Sequence, residues 1–266
     1  MPGARQWMGE LMLRAPAPLR SLRGVPLLGN FIHRLSYQFL PADEKVWARI
    51  EAGPAQGIWI ELNPRTGQNY LRGEAERAVQ NVLAERLRPG MTFYDLGANI
   101  GLFSLLAGRL VGTNGKVFSF EPDAETAGRL RRHIARNGFN NIKIIEAGVW
   151  SSSGQMNFVV ADPPSPDRGV GKFIANGEPA SGVPTRCVSL DDFVQTASPP
   201  DAIKCDVEGA EVEAFHGAET LLRTRHPWIV CEVHSESSGR ALRPYLSGLG
   251  YRLEPVDQDH FLALGL

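Results

Sequence analysis

Two stretches of the sequence carry acids and bases at the ends of apolar runs. In Ala202-Ile203-Lys204-Cys205-Asp206-Val207-Glu208-Gly209-Ala210-Glu211, a short strand-like segment bears Lys204, Asp206 and Glu208. In Trp228-Ile229-Val230-Cys231-Glu232-Val233-His234, a buried-looking run ends in two ionisable residues, and strand alternation puts Glu232 and His234 on one side. Such a group could remove a proton from a hydroxyl. His234 is the conventional base, because an unperturbed imidazole titrates near about 6.5 and is largely neutral at cytoplasmic pH. Asp206 or Glu208 could serve instead if burial or a like-charged neighbour raised its pKa. Lys204 could offset the negative cluster or hydrogen-bond an acceptor, or simply balance the acids. Three carboxylates and an imidazole could also hold Mg²⁺ or Mn²⁺, which prefer oxygen ligands; this set admits a divalent cation without favouring one, and no metal ligands are assigned.

A second kind of chemistry is carried by Phe93-Tyr94-Asp95-Leu96-Gly97-Ala98-Asn99-Ile100-Gly101-Leu102-Phe103-Ser104. An apolar run reaches an acid, turns through two glycines and continues as an apolar helical pattern: strand, tight loop, helix. Both nicotinamide dinucleotides and S-adenosylmethionine (SAM) sit over such a loop. The spacing D-x-G-x-N-x-G places a carboxylate where a pyrophosphate site would have glycine, which suits the cationic SAM and repels a pyrophosphate. Asp95, Gly97, Asn99 and Gly101 are therefore expected at the cofactor. Gly115 to Pro122 reads as the next strand, with Glu121 placed to take both ribose hydroxyls and Pro122 beside it. After a third strand, Ile142 to Glu146, the stretch Glu146, Ala147, Gly148 and Val149 is expected near the adenine, where Glu146 could accept from the adenine amine or face solvent, and Asp206 is expected near the cofactor as well.

These residues need a framework, and strand and helix alternate from Met91 onward. A mostly parallel, doubly wound α/β sheet is the economical arrangement. Residues 1–56 are expected to form an N-terminal extension and residues 57–266 the main domain. Within the extension a helix is expected over Asp43 to Ala52; Ile58 to Leu62 reads as a strand and Gly73 to Leu87 as a helix. Pro16, Pro18 and Pro26 disfavour helix at the N-terminus, which reads as a loosely packed or partner-contacting arm, with Trp7, Phe31 and Tyr37 as apolar residues that could support a homo-oligomer. Ala161 to Pro184, dense in proline and glycine, reads as a long loop over the site. Val188 to Val194 begins a short helix capped by Ser189, and one helix is expected from Gly209 through Val212, Phe215 and Leu221. Arg240 to Leu249 reads as a helix and the last strands as a closing pair.

The 266 residues are 43% hydrophobic with a formal net charge of -1, so no global footprint for nucleic acid exists. Cys187, Cys205 and Cys231 have no paired spacing and suggest neither zinc nor disulfides. No apolar run approaches the roughly 18 to 20 residues of a membrane span, and the N-terminus lacks a signal-peptide pattern. A cytoplasmic protein is expected.

D-L-G-A-N-I-G, F-E-P, the preceding L-R-G-E-A-E, L-D-D and K-C-D-V-E-G-A-E, with E-V-H downstream, together resemble the FkbM family of SAM-dependent methyltransferases over roughly residues 70 to 235. The resemblance implies a Rossmann-like seven-stranded sheet with one reversed strand (class I methyltransferase), SAM as methyl donor, and O-methylation of a sugar or hydroxylated secondary metabolite. Methylation of nitrogen or of a carboxylate, and a non-catalytic SAM-binding scaffold, are the alternatives. A nucleic-acid methyltransferase is disfavoured, because Asp206-Val207-Glu208-Gly209 stands where an N-P-P-Y tetrapeptide would.

Overall fold

A computed structural model describes residues 2–15, 41, 43–160, 171–174 and 182–266. The chain divides into two compact units at Arg77 and Ala78, later than the expected boundary after residue 56.

The first unit contains helix α1 (Pro2–Leu13), the antiparallel pair β1 (Val46–Arg49) and β2 (Trp59–Leu62), and one turn of helix, α2 (Gln68–Leu71). The helix expected over Asp43 to Ala52 is instead β1. Val46, Ala48 and Ile50 are buried and Arg49 is exposed, a two-residue period that suits a half-covered strand better than a helix. The N-terminus, expected as a loose arm, is helical up to Leu13, ahead of the first disfavouring proline. Its Gln6 side chain donates to the Trp47 carbonyl and accepts from the Trp47 N–H, at 2.8 and 3.1 Å. Trp7 and Leu11 remain exposed; Phe31 and Tyr37 lie outside the described residues.

Helix α3 (Arg77–Arg86) leads into the second unit. There β3 (Thr92–Leu96), α4 (Leu102–Val111), β4 (Lys116–Phe120), α5 (Ala124–Asn137) and β5 (Ile142–Ile145) alternate as the sequence pattern requires. A second, smaller sheet follows from β6 (Gly148–Val149), β7 (Gly154–Val160), β8 (Gly171–Ile174) and β9 (Val183–Val188). The chain continues through α6 (Leu190–Phe193), β10 (Ala202–Cys205), α7 (Glu211–His216), α8 (Glu219–Arg225), β11 (Trp228–Glu232), α9 (Glu236–Gly248), β12 (Tyr251–Pro255) and β13 (His260–Gly265).

The main sheet has the order β12-β13-β11-β10-β3-β4-β5. All neighbours are parallel except those of β13, which runs against both β11 and β12. This is the expected seven-stranded, doubly wound sheet with one reversed strand. Every side chain of β3 and β10 is buried, as strands covered on both faces require. Tyr94, Phe118, Phe120 and Phe193 pack edge to face at 4.9 to 5.6 Å between ring centres, and the Tyr94 hydroxyl donates to the Ser198 carbonyl, so the phenol is not buried unpaired.

Two helices differ from expectation. The helix after Gly209 breaks at Gly217, whose carbonyl accepts from Asp191 N–H and which has no room for a Cβ against the Trp150 carbonyl. Helix α9 starts at Glu236 rather than Arg240 because Ser235 caps it, accepting from Ser238 N–H. The long loop expected at Ala161 to Pro184 is partly sheet: β8 pairs antiparallel with β7, and β9 begins at Val183. Gly171 hides the strand from a composition reading, yet the strand needs it, since a Cβ there would enter the Phe158 ring.

Gly97 joins the two halves of the sheet at their carboxyl ends. Its φ of +75° is left-handed, and a Cβ would overlap the carbonyl oxygen of Asp206 on the neighbouring strand end. Gly97→Ala is therefore expected to destabilise the fold by about 2 kcal/mol or more, read as a lower urea midpoint with an unchanged slope.

Candidate active site

The loop after β3 is built on positive backbone angles. Gly97, Asn99 and Gly101 have φ of +75°, +49° and +89°. Gly101 caps α4 and leaves the space that the Leu130 side chain of α5 fills, so its missing Cβ serves helix packing. Asp95 is fully buried beneath the loop and accepts from the Ser104 hydroxyl, which in turn accepts from Ser119. This file of hydrogen bonds ties β3 and β4 to α4.

Above the loop lies a cleft that opens to solvent. Gly97, Asn99, Glu121 and Pro122 form one wall, Gly148 and Val149 the next, and Asp206, Val207, Glu208 and Ala210 the floor toward β10. Phe158 and Phe173, 5.0 Å apart between ring centres, face it from β7 and β8. Of the expected cofactor residues, Gly97, Asn99, Glu121, Pro122 and Asp206 line this cleft. Asp95, Gly101, Glu146 and Ala147 do not: the first two act from behind the loop, Glu146 pairs with Arg131 on the surface, and Ala147 is buried.

Glu121 is almost fully buried, and its two carboxylate oxygens accept from Asn99 N–H at 2.8 Å and Asp123 N–H at 2.9 Å. Burial pushes its pKa up to about 7, against the pull of those two hydrogen bonds. Each oxygen keeps a second lone pair for a ligand hydroxyl. Asn99 Oδ1 is buried with no hydrogen-bond partner among the described residues, at the wall of the same cleft. A buried polar atom left in this way is costly unless something binds it.

The strand ends of β10 and β11 bring the acid and base set together. His234 Nε2 lies 3.3 Å from Glu208, 3.4 Å from Asp206 and 3.8 Å from Glu232, while Nδ1 is 2.9 Å from Glu211. The Glu211 hydrogen bond, working against partial burial and helped by the surrounding carboxylates, pushes the His234 pKa up to about 9. The imidazole is thus mainly charged at neutral pH, where the sequence alone led us to expect a neutral one. Asp206 does not meet the condition for a base either. Burial raises its pKa, but Lys204, 2.8 Å away, and the nearby histidines outweigh that and hold it below the usual carboxylate value. Lys204 itself is buried, with its ammonium 4.8 Å from the centre of the Phe103 ring.

Asp206, Glu232 and His234 each offer one ligand atom, all within 4.8 Å of one another. The Lys204 ammonium beside Asp206 already supplies positive charge there, which works against a further cation. Two side chains of this cluster escaped the sequence reading. Glu211 was visible only as the last acid of D-V-E-G-A-E, and His260, 3.5 Å from Glu232 and 2.8 Å from Asp257, only as part of a closing strand. The spacing that sets Glu211 three residues after Glu208, across a glycine turn, was the available signal.

No helix among the described residues is long and apolar enough to cross a membrane. In comparison with known proteins, the chain is 28% identical over 199 residues to the hexuronic acid methyltransferase AglP of Haloferax volcanii, covering 73% of this chain and 77% of that one. Among solved structures, the methyltransferase FkbM from Methylobacillus flagellatus KT aligns with a TM-score of 0.48 and 18% identity over 72% of this chain, which spans 54% of that protein. The precorrin-6y C5,15-methyltransferase from Geobacter metallireducens GS-15 aligns with a TM-score of 0.48 and 15% identity, covering 72% and 89%. The sequence profile described as the methyltransferase FkbM domain matches residues 95–253, more than half of the chain and the whole stretch from Asp95 through His234, so this protein belongs to the FkbM methyltransferase family.

Proposed function

We propose that this methyltransferase is a SAM-dependent O-methyltransferase of the cytoplasm, acting on a hydroxyl of a sugar or of a hydroxylated secondary metabolite. The observation that carries the reading is a continuous site: the Glu121 and Asn99 wall suited to a nucleoside shares its cleft with Asp206 and Glu208, which in turn contact His234. The donor set fits SAM. Glu121 would hold the ribose hydroxyls, Asn99 Oδ1 would gain a donor, and the floor acids favour a cationic ligand over a pyrophosphate. When bound, SAM supplies a methyl group on a sulfonium that leaves as a neutral thioether.

What remains for the chain is to orient the acceptor and receive its proton. His234 Nε2, in its neutral form, takes the hydroxyl proton as the oxygen gains its new bond to carbon. Lys204 keeps Asp206 ionised, so that the resulting imidazolium has an anion beside it. We assign no metal to this step. The 28% identical relative that methylates a hexuronic acid supports a sugar-type acceptor.

The test is incubation with methyl-labelled SAM and a panel of neutral sugars, uronic acids and polyhydroxylated aglycones, in EDTA and in Mg²⁺, with the product solved by mass spectrometry and NMR. A methyl ether formed in EDTA is the expected product. A methyl ester or an N-methyl product would overturn the O-methyl assignment, and turnover only with Mg²⁺ would overturn the metal-free one.

A further inference from the structure

Glu211 has no part in the steps above, yet it is the most enclosed acid of the cluster. It is 0% exposed in the first turn of α7, and its Oε1 lies 2.9 Å from His234 Nδ1 and 2.8 Å from the Gly209 amide nitrogen. Its Oε2 has no hydrogen-bond partner among the described residues. Placing a carboxylate here costs desolvation that one backbone amide does not offset. A cation or a strong donor at Nδ1 does.

We propose that Glu211 is the positioning residue of the reaction: by accepting the Nδ1–H of His234 it fixes the ring so that Nε2 alone faces Asp206, Glu208 and the acceptor hydroxyl. The inference rests on the proposed role of His234 as base. The turn that carries Glu211 supports it. Glu208 and Gly209 have φ of +51° and +98°, a left-handed pair that brings the chain round sharply enough for Glu211 to reach back to the Gly209 N–H. One oxygen thus sets both the turn bearing Glu208 and the ring between Glu208 and Asp206.

The groups facing His234 are Asp206 and Glu208 from the turn after β10, Glu211 from α7 and Glu232 from the end of β11. Behind them, Lys204 pairs with Asp206, and His260 of β13 pairs with Glu232. Among the described residues, Glu211 alone touches Nδ1. Its effect is therefore separable from that of the acids around Nε2.

The discriminating variant is Glu211→Gln, whose carbonyl can still accept from Gly209 N–H and from Nδ1–H but carries no charge. The acid limb of the kcat profile is expected to move down by about 1 to 2 pH units, with SAM affinity unchanged, and Glu211→Asp is expected to restore part of the shift. An acid limb that stays in place in a folded Glu211→Gln protein would overturn the proposal, because a merely structural latch has no reason to alter that limb.

A second measurement needs no variant at position 211. In ¹⁵N-histidine-labelled protein, with the His234 signal assigned by its loss in His234→Gln, neutral His234 should carry its proton on Nδ1. A proton on Nε2 would overturn the clamp. If the Nδ1 tautomer is found while no acceptor hydroxyl is ever methylated, the clamp stands and the O-methyltransferase reading falls.

Discussion

Replacing Glu121 with alanine is expected to weaken SAM binding by about 10² to 10⁴-fold while leaving the thermal unfolding profile cooperative. Hydrogen bonds to a charged group contribute about 1.5 to 3 kcal/mol each, two ribose hydroxyls would be lost together, and each 1.4 kcal/mol is a factor of about ten. Isothermal titration with SAM and with its demethylated product measures the effect. The wild-type protein should show a matching pH dependence. Its Glu121 is held up to about 7 by burial, so below that value the free enzyme carries the protonated acid, which cannot accept two hydroxyls. SAM affinity should therefore fall as pH drops below about 7 and level off above it. Binding by Glu121→Ala that is as tight as wild type would remove the ribose role altogether. Asp95 is a poorer probe, because it is buried beneath the loop with Ser104 and its loss would act through the fold as much as through the ligand.

His234→Ala is the second large effect: kcat should fall by about 10² to 10⁴-fold, the range for losing a positioned base, with SAM affinity preserved. The sign of the pH dependence follows from the direction in which the carboxylates move this histidine. With its pKa raised to about 9, the neutral base is the minor form at pH 7, so wild-type kcat should climb about tenfold per unit until it levels off near that value. The rise should be absent in His234→Ala. A profile already flat from pH 6 to 9 in the wild type, or full turnover without the imidazole, would move the proton transfer to another group or to water.

The backbone of this site is largely legible in the sequence, because the strand, glycine loop and helix around Asp95 obey local rules: apolar periodicity, and glycines at the left-handed positions Gly97 and Gly101. The charge states are not. Sequence alone already sets Asp206, Glu208 and Glu232 with His234, but only the fold brings the buried Glu211 onto Nδ1, and that hydrogen bond is the largest cause of the raised imidazole pKa. The strand at Val46–Arg49 was missed because Glu44, Lys45 and Arg49 interrupt a short apolar alternation that also fits one helical turn; pairing with β2 decides it. Gly171–Ile174 was missed for the opposite reason. Its first residue is a glycine that a reading by composition assigns to a loop, whereas the Phe158 ring lying against it leaves no room for a Cβ. Of the stretch from Glu146 to Val149 expected near the adenine, Gly148 and Val149 stand at the wall of the cleft, whereas Glu146 turns outward to Arg131.

The position of β13 has a consequence for how the molecule is made. Its residues 260–265 lie inside the sheet, between β11 and β12, although they are synthesised after both. The central pair β3 and β10 likewise joins segments more than a hundred residues apart. During synthesis the β11 edge therefore stays open, apolar and ready to pair with a neighbour until residues 260–265 have been made. Folding should be slow, as non-local strand pairing makes it, and the interval before β13 docks is when aggregation competes with it.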